Sequence, residues 1–287
     1  MATLRDIRRK ITSVSKTQQI TKAMKMVAAA KLRRAQMRTM QLRPYAESLS
    51  NMLSNVASKV DHGLSIFLQE RMARNVCIIA VSGDRGLCGS FNTNVIRAAK
   101  TKVDTLVDEG MNVSLVAVGK KGYEFFRKRD YKVDHHLINI FNNLVFEHAL
   151  DVSNFVQKKF IDGNFDQVLL VYTRAKSPVK QDVLVEQILP IKPQEFDQQQ
   201  ANYEYIFEPE PVKILDTLCP KNLNIRIWQA FAESYYAEEG ARMMAMDNAT
   251  ENAQEMINNL TLHYNKARQA AITKEISEIV GGAEALK

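Results

Sequence analysis

The chain has 287 residues, of which 46% are hydrophobic and 25% are charged, and it carries a formal net charge of +7. This composition excludes a fibrous or fully disordered protein, and no run approaches the ~20 consecutive apolar residues of a membrane-spanning helix. The cysteines at positions 77, 88 and 219 are too far apart for a Cys-x-x-Cys motif, which favours a reducing compartment over a disulfide framework.

Residues 1–60 are predicted to form one long helix. The first proline is Pro44 and the first glycine is Gly63, so almost nothing before residue 58 interrupts a helix. Apolar residues recur at helical spacings of three and four, with slips in register. The predicted inward residues are Leu4, Ile7, Ile11 and Val14, then Ile20, Met24, Val27, Leu32 and Ala35, and finally Leu49, Met52 or Leu53, and Val56. The segment is strongly basic, with a single acid, Asp6, before Arg43.

Residues 75–195 are predicted to form a central α/β domain of the Rossmann-like type. Short β-branched, apolar runs predict strands, and longer stretches between them predict helices, which together favour a largely parallel sheet. The predicted strands are Val76–Val81, Val113–Val118, Val168–Tyr172 and Val183–Leu189, and the predicted helices are residues 94–108, 120–128 and 145–161.

A second long helix is predicted within residues 208–287. The stretch from Lys192 to Pro220 is rich in proline and contains a run of glutamines, which predicts an irregular connector. After Pro220, aromatic and aliphatic residues keep helical spacing as far as Gly281 and Gly282, where a helix would stop. Two long helices that flank one domain can pack together as a long antiparallel coiled coil.

Two glycine-containing loops have only a superficial likeness to phosphate-binding loops. The spacing in Gly83–Gly89 fits neither G-x-G-x-x-G nor G-x-x-x-x-G-K-[ST], so a structural turn is favoured over nucleotide binding. Gly119–Gly122 is typical of a strand-to-helix turn. His135 and His136 are adjacent, a spacing that suits one face of neither a helix nor a strand. Since no catalytic grouping occurs in a recognisable motif, we expect a chain that is not an enzyme and holds no metal or cofactor.

Several longer motifs resemble the gamma subunit of F-type ATP synthases. They follow one another in that family's order and separation along nearly the whole chain. The motifs are Ile20–Lys31, Arg43–Tyr45, Asp84–Gly89, Ala241–Met246 and Tyr264–Ile276. The chain departs from the family's pattern at Gly83, where Ser or Thr is usual, and at Ser90, where a second glycine is usual. A start directly on the helix favours the bacterial type.

The resemblance implies a rotating central stalk. The terminal helices would stand inside the hexamer of α and β subunits, and the central domain would sit on the membrane ring of c subunits with the epsilon subunit. The chain would couple ion-driven rotation of the ring to conformational cycling of the catalytic β subunits. It would then be a peripheral membrane protein on the cytoplasmic side of a bacterial inner membrane.

The resemblance also implies which residues meet these partners. The residues expected against the α/β hexamer are Lys22, Met24, Lys25, Arg268, Gln269, Thr273 and Ile276, and those expected against the rotor ring and epsilon are Tyr205, Phe207 and Glu208. Arg268 and Gln269, a planar fork of donors and an amide, would grip acidic and hydroxyl groups of β. Ile276 would lie with Ile272 and Ile279 either in an apolar bearing or in the coiled coil's own core.

Two other functions stay open from the residues alone. A basic coiled-coil protein could bind nucleic acid through phosphates, although the charges of the first helix surround its apolar stripe without interleaved aromatic residues. A small-molecule enzyme would need a ligand pocket in the crevice where the strands of the sheet end.

Overall fold

The computed structural model describes residues 3–58, 60, 65–177, 180–192, 208 and 210–284. In chain order, the elements are α1 (Leu4–Ala57), β1 (Asn75–Val81), α2 (Phe91–Asp108), β2 (Asn112–Val118), α3 (Lys120–Arg127), β3 (Val133–Leu137), a 3-10 turn (Ile140–Asn142), α4 (Phe146–Ile161), β4 (Gln167–Ala175), β5 (Gln181–Leu189) and α5 (Pro211–Glu284). They divide into a coiled-coil unit, Met1–Ala28 with Met243–Lys287, and an α/β unit, Ala29–Arg242.

The α/β unit is built on a five-stranded sheet in the order β3-β2-β1-β4-β5. Strands β1 to β4 are parallel, and β5 pairs antiparallel with β4, so the predicted largely parallel sheet is confirmed. All four predicted strands occur. The additional strand, β3, was not predictable as an apolar run, because its sequence is Val-Asp-His-His-Leu and its residues alternate between half-buried and exposed at the edge of the sheet.

Both faces of the sheet are covered, which explains the unbroken apolar sequence of β1. Val76 and Ile78 pack on one face with residues of α2 and α3. Cys77 and Ile79 pack on the other face with α4 and with segments of α1 and α5. A strand that is buried on both faces reads as continuously hydrophobic rather than alternating.

The inward face of α1 follows one heptad-like register along its whole length. Its buried and half-buried positions include Leu4, Ile7, Ile11, Val14, Gln18, Thr21, Lys25, Ala28, Leu32, Ala35, Thr39, Leu42, Ala46, Leu49, Leu53 and Val56. Of the predicted slip to Ile20, Met24 and Val27, Ile20 and Val27 are wrong, since they are 59% and 57% exposed, whereas Met24 is half-buried. Polar residues occupy the inward positions in this stretch, so a search for apolar residues follows the wrong stripe.

Helix α5 is longer at both ends than its sequence predicts. It begins at Pro211 and contains Pro220, so residues 211–220 are helical rather than an irregular connector. Proline is well tolerated at the first helical position, where the backbone N–H has no partner within the helix. The predicted stop at Gly281 and Gly282 is also wrong, because α5 continues to Glu284. Within the part of the chain that the structure describes, no helix is both long and apolar enough to span a bilayer.

Candidate partner-binding surfaces

The two helices of the coiled-coil unit are joined by a ladder of three polar side-chain pairs. The pairs are Gln18 with Gln254, Thr21 with Thr250, and Lys25 with Asp247, at 2.8, 2.8 and 2.5 Å. Residue numbers rise along α5 as they fall along α1, so the helices are antiparallel, as predicted. Polar pairs at inward positions of a coiled coil stabilise less than apolar ones, but they favour a single register. We call these three pairs the polar ladder.

Three of the predicted partner-binding residues lie in or beside the polar ladder and differ in environment. Lys22 is exposed, and Met24 is half-buried. Lys25 belongs to the ladder itself, because its ammonium is paired with the Asp247 carboxylate. Of the two lysines, Lys22 is therefore the one without an acidic partner among the described residues, and its charge can meet another molecule.

The predicted contact residues near the C-terminus lie on α5 at or beyond the point where the described part of α1 begins. Extending the register of the polar ladder places Leu4, the first residue of α1, opposite about residue 268 at ~1.5 Å per residue on each helix. Arg268, Gln269 and Thr273 are exposed. Ile276 is 56% exposed, so it does not belong to the coiled coil's own core.

Two of the three residues predicted to contact a rotor ring and epsilon are not among the residues that the structure describes. Tyr205 and Phe207 lie outside the described residues, and Glu208 is exposed.

The two glycine-containing loops are bonded to other parts of the same domain through Asp84 and Ser82. The Asp84 carboxylate accepts hydrogen bonds from the backbone N–H groups of Lys120, Asn139 and Phe141, at 2.9, 2.7 and 3.0 Å. The Ser82 hydroxyl accepts one from the N–H of Gly122 at 2.8 Å. A Cβ on Gly119, where φ is +90°, would lie 2.0 Å from the Ser82 carbonyl oxygen. The loops are therefore the structural turns that their spacing predicts.

Helix α5 fills the crevice where β1 and β4 end. In an open α/β sheet, ligands bind at this point, where the strand order reverses. Here the Ser234 hydroxyl accepts a hydrogen bond from the Thr173 N–H at 3.3 Å. A Cβ on Gly83 would lie 2.8 Å from the carboxylate carbon of Glu238. A small molecule would have to displace α5 to bind here, so the geometry gives no support to an enzyme of this type.

A cluster of buried charges lies on the part of α5 beside this crevice. Glu238, Glu239 and Arg242 are 3%, 3% and 9% exposed. Arg242 Nη1 donates to Glu239 Oε1 at 2.6 Å, and Arg242 Nη2 donates to Glu238 Oε1. Lys31 Nζ lies 3.9 Å from Glu239 Oε1. Burial outweighs the attraction of Arg242 and raises the pKa of Glu238 to about 7.

This buried charge cluster was not foreseen from the sequence. The run Glu238-Glu239-Gly240-Ala241-Arg242 reads as a solvated helix surface, because charged residues are mostly exposed. The available signal is the spacing of three and four residues between the two glutamates and the arginine, which lets one guanidinium reach both carboxylates.

Comparisons with known proteins agree along the whole chain. The family model described as ATP synthase matches residues 3–286. The ATP synthase gamma chain of Chlorobaculum tepidum is 49% identical over 292 residues and that of Chlorobaculum parvum is 47% identical over 291, each alignment covering 100% of both chains.

Among solved structures, a chain in the cryo-EM structure of Euglena gracilis mitochondrial ATP synthase, OSCP/F1/c-ring in rotational state 3, has a TM-score of 0.70 and 22% identity, covering 99% of this chain and 94% of that one. Neither these similarities nor the geometry supports the nucleic-acid-binding alternative. The chain belongs to the family of ATP synthase gamma chains, the non-catalytic stalk subunit of that enzyme.

Proposed function

We propose that this chain is the central-stalk rotor that couples ion-driven rotation of a c-subunit ring to the conformational cycle of catalytic β subunits. Its partners are the hexamer of α and β subunits, the epsilon subunit and the c ring. The observation that carries the proposal is the C-terminal end of α5, which is exposed and has no described residue of α1 beside it.

The end of α5 has the properties of a surface that another protein covers. Beyond about residue 268, where no described residue of α1 lies beside it, α5 continues for roughly four turns at 3.6 residues per turn, a length at which isolated helices are marginal in water. Ile272, Ile276 and Ile279 are 47%, 56% and 71% exposed. Exposed apolar stripes of this kind mark protein interfaces. The hexamer would supply the missing cover.

Polar residues flank this apolar stripe where directional contacts are needed. Arg268 lies one turn before Ile272 on the same face, and Gln269 lies one turn before Thr273. The guanidinium and amide groups can each make charge-assisted or amide hydrogen bonds to acidic and hydroxyl groups of β. Such contacts can break and reform as the stalk turns, whereas the isoleucines only exclude water.

The direct test is co-expression of the full chain with α and β subunits, followed by size-exclusion chromatography and an ATPase assay. We expect one complex that contains all three subunits and whose ATPase activity requires this chain. Ile276→Asp should lower the yield of the complex about tenfold or more, because it puts a charge into the apolar contact. Ser277→Asp adds the same charge to the next, exposed residue and should have little effect. Equal losses in both variants would contradict the proposal.

On α1, Met24 and Lys22 would face acidic loops of β. A further positive charge there should over-stabilise one rotational state. We expect Met24→Lys to leave assembly intact but to lower the number of ions pumped per ATP hydrolysed in membrane vesicles. Gln36→Lys, which places the same charge at an exposed position further along α1, is the control. Unchanged coupling in Met24→Lys would refute this contact.

We further propose that the chain is held at the cytoplasmic face of a bacterial inner membrane through the c ring, with Tyr205, Phe207 and Glu208 contacting the ring and epsilon. In a membrane fractionation, the chain should sediment with membranes only when c subunits are present. Sedimentation that is independent of c subunits would argue for a separate membrane contact.

A further inference from the structure

A small basic cavity of about 250 Å³ lies in the α/β unit between α1, α5 and the turn that follows β3. Three of its lining residues, Lys31, Arg34 and Arg38, follow one another at spacings of three and four residues and so share one face of α1. The other lining residues are Ala35, Phe141, Asn142, Asn143, Leu144 and Tyr235. None of them is acidic, so the cavity has a net positive charge.

Two of the cations are held in place by the protein. Lys31 Nζ lies 3.9 Å from Glu239 Oε1. Arg38 Nη1 donates to the Leu144 carbonyl oxygen at 2.8 Å. The Arg38 guanidinium also lies 5.8 Å from the centre of the Trp228 ring. These contacts keep both charges at the cavity without cancelling the charge of Arg38.

The remaining donors have no hydrogen-bond acceptor among the residues that the structure describes. They are the guanidinium of Arg34, the side-chain amides of Asn142 and Asn143, and the hydroxyl of Tyr235. The Tyr235 ring is fixed by stacking on Phe141, with ring centres 6.0 Å apart. Burial and the carboxylates of Glu239 and Glu238 raise the pKa of Tyr235, so its hydroxyl keeps its proton and remains a donor.

We propose that this cavity binds a phosphate group, as inorganic phosphate or as the terminal phosphate of a nucleotide. A planar guanidinium fork, two amides and a hydroxyl match the several acceptor oxygens of a tetrahedral oxyanion. The volume is below the ~300–1,000 Å³ of pockets that enclose a drug-sized ligand, so a nucleoside would remain outside. The site lies within the α/β unit and does not depend on the proposed rotor function.

The test is equilibrium dialysis of the purified full chain against labelled inorganic phosphate, with ionic strength held constant by chloride. We expect saturable binding that Arg34→Gln weakens about tenfold or more, because hydrogen bonds between charged groups are lost. Arg33→Gln is the matched control, since Arg33 is exposed and adjacent but does not line the cavity. Arg33→Gln should change the affinity about twofold or less, because water and salt screen an exposed charge that does not contact the ligand.

A second variant separates a specific site from a misfolded one. Tyr235→Phe keeps the stacked ring and removes only the hydroxyl, so it should weaken phosphate binding several-fold while Trp228 fluorescence and helical circular dichroism stay unchanged. An equal loss in Arg33→Gln and Arg34→Gln would reduce the site to a general basic surface and overturn the proposal. So would the absence of saturable binding.

The source of the phosphate group is settled by competition within the same assay. Displacement of labelled phosphate by unlabelled phosphate, with ADP no better, assigns the site to the free ion. Stronger displacement by ADP assigns it to a nucleotide end. In either case Arg34→Gln should weaken the competitor to the same degree, and a competitor that is insensitive to Arg34→Gln would contradict the site.

Discussion

The coiled-coil unit and the α/β unit both place charged pairs at inward positions, but they bury them to very different depths. The side chains of Lys25 and Asp247 are 40% and 32% exposed. Those of Arg242, Glu238 and Glu239 are 11%, 4% and 3% exposed. In the coiled-coil unit the ion pair therefore mainly favours one register of the two helices. In the α/β unit the stability of the fold depends on the ion pairs.

The energetic difference follows from solvent. A partly exposed ion pair is screened by water and contributes about 0–1 kcal/mol. A buried charge that loses its partner keeps its full desolvation penalty, which costs roughly 3–5 kcal/mol. The α/β unit should therefore be sensitive to single changes at its charge cluster. The coiled-coil unit should tolerate changes along its polar ladder.

The largest effect is expected from Arg242→Met, which removes the guanidinium shared by two buried carboxylates. We expect a loss of about 3–5 kcal/mol in the free energy of unfolding of the α/β unit. Urea unfolding followed by the fluorescence of Trp228, the chain's one tryptophan, measures this. Lys25→Met makes the matching change in the polar ladder and should cost no more than about 1 kcal/mol, read from helical circular dichroism. Similar losses in the two variants would contradict the contrast.

The second-largest effect is a dependence of the α/β unit's stability on pH, caused by Glu238 of the same cluster. Because the pKa of Glu238 is raised from its ordinary value of 4.5 to about 7, the folded state binds its proton more tightly than the unfolded state. The stability that this proton contributes is fully present below about pH 4.5 and is lost as the pH rises through about 7. The loss is up to roughly 3 kcal/mol, with Glu239 opposing ionisation of Glu238 and Arg242 favouring it.

Glu238→Gln tests this, because an amide does not titrate. The difference in urea midpoint between the parent and Glu238→Gln should change steadily between about pH 5 and pH 7.5, with the parent losing stability relative to the variant. A difference that is constant over this range would show that Glu238 is ionised throughout.

Some elements of the two units were predictable from the sequence, and others were not. The long helices, their antiparallel pairing and the four apolar strands were predictable, because apolar periodicity reports burial directly. The inward register of α1 near Thr21 and Lys25 was not, because these residues are polar and the apolar residues Ile20 and Val27 are exposed there. Apolar periodicity cannot locate a stretch of helix whose inward residues are polar.

Of the candidate sites, one was predictable from the sequence and one was not. The motif resemblance points to Arg268, Gln269 and Ile276, all of which are exposed in the structure. The buried cluster around Arg242 depends on which long-range neighbours exclude water, and residue types do not reveal that. Strand β3 escapes prediction for a related reason, because an edge strand is only half-buried and needs no apolar run.

The third effect concerns the close packing of Gly83 against Glu238. Gly83→Ala would put a methyl group 2.8 Å from a carboxylate that Arg242 holds in place, so we expect a loss of about 1–3 kcal/mol. Gly83→Ser should lose less, because its hydroxyl can donate to that carboxylate. Gly86→Ala is a control, since no atom lies within 4 Å of the added Cβ. Urea unfolding should show the alanine variant to be less stable than the serine variant, and parent-like stability of Gly83→Ala would mean that the carboxylate moves away freely.

The smallest effect should be a gain, from the paired change Thr21→Val and Thr250→Val in the polar ladder. Each hydroxyl also lies near a carbonyl of its own helix, at 3.0 Å from Gln18 O and 2.7 Å from Met246 O, and one proton cannot serve both acceptors. The two hydroxyl protons can make only two of these three hydrogen bonds, and both are lost, although the two carbonyls keep their helical N–H donors. In exchange, two methyl groups replace hydroxyls in a seam where Thr21 is only 9% exposed.

We expect this pair of changes to stabilise the coiled-coil unit by about 0.5–1.5 kcal/mol, since replacing both partners of a buried polar pair by apolar groups of the same shape is neutral or stabilising. Thermal melting followed by circular dichroism measures the gain, and the exposed Thr17→Val should stay within about 0.5 kcal/mol of the parent. A loss instead would mean that the threonine pair stabilises the helices as well as marking their register, and the two units would then differ less than their burial suggests.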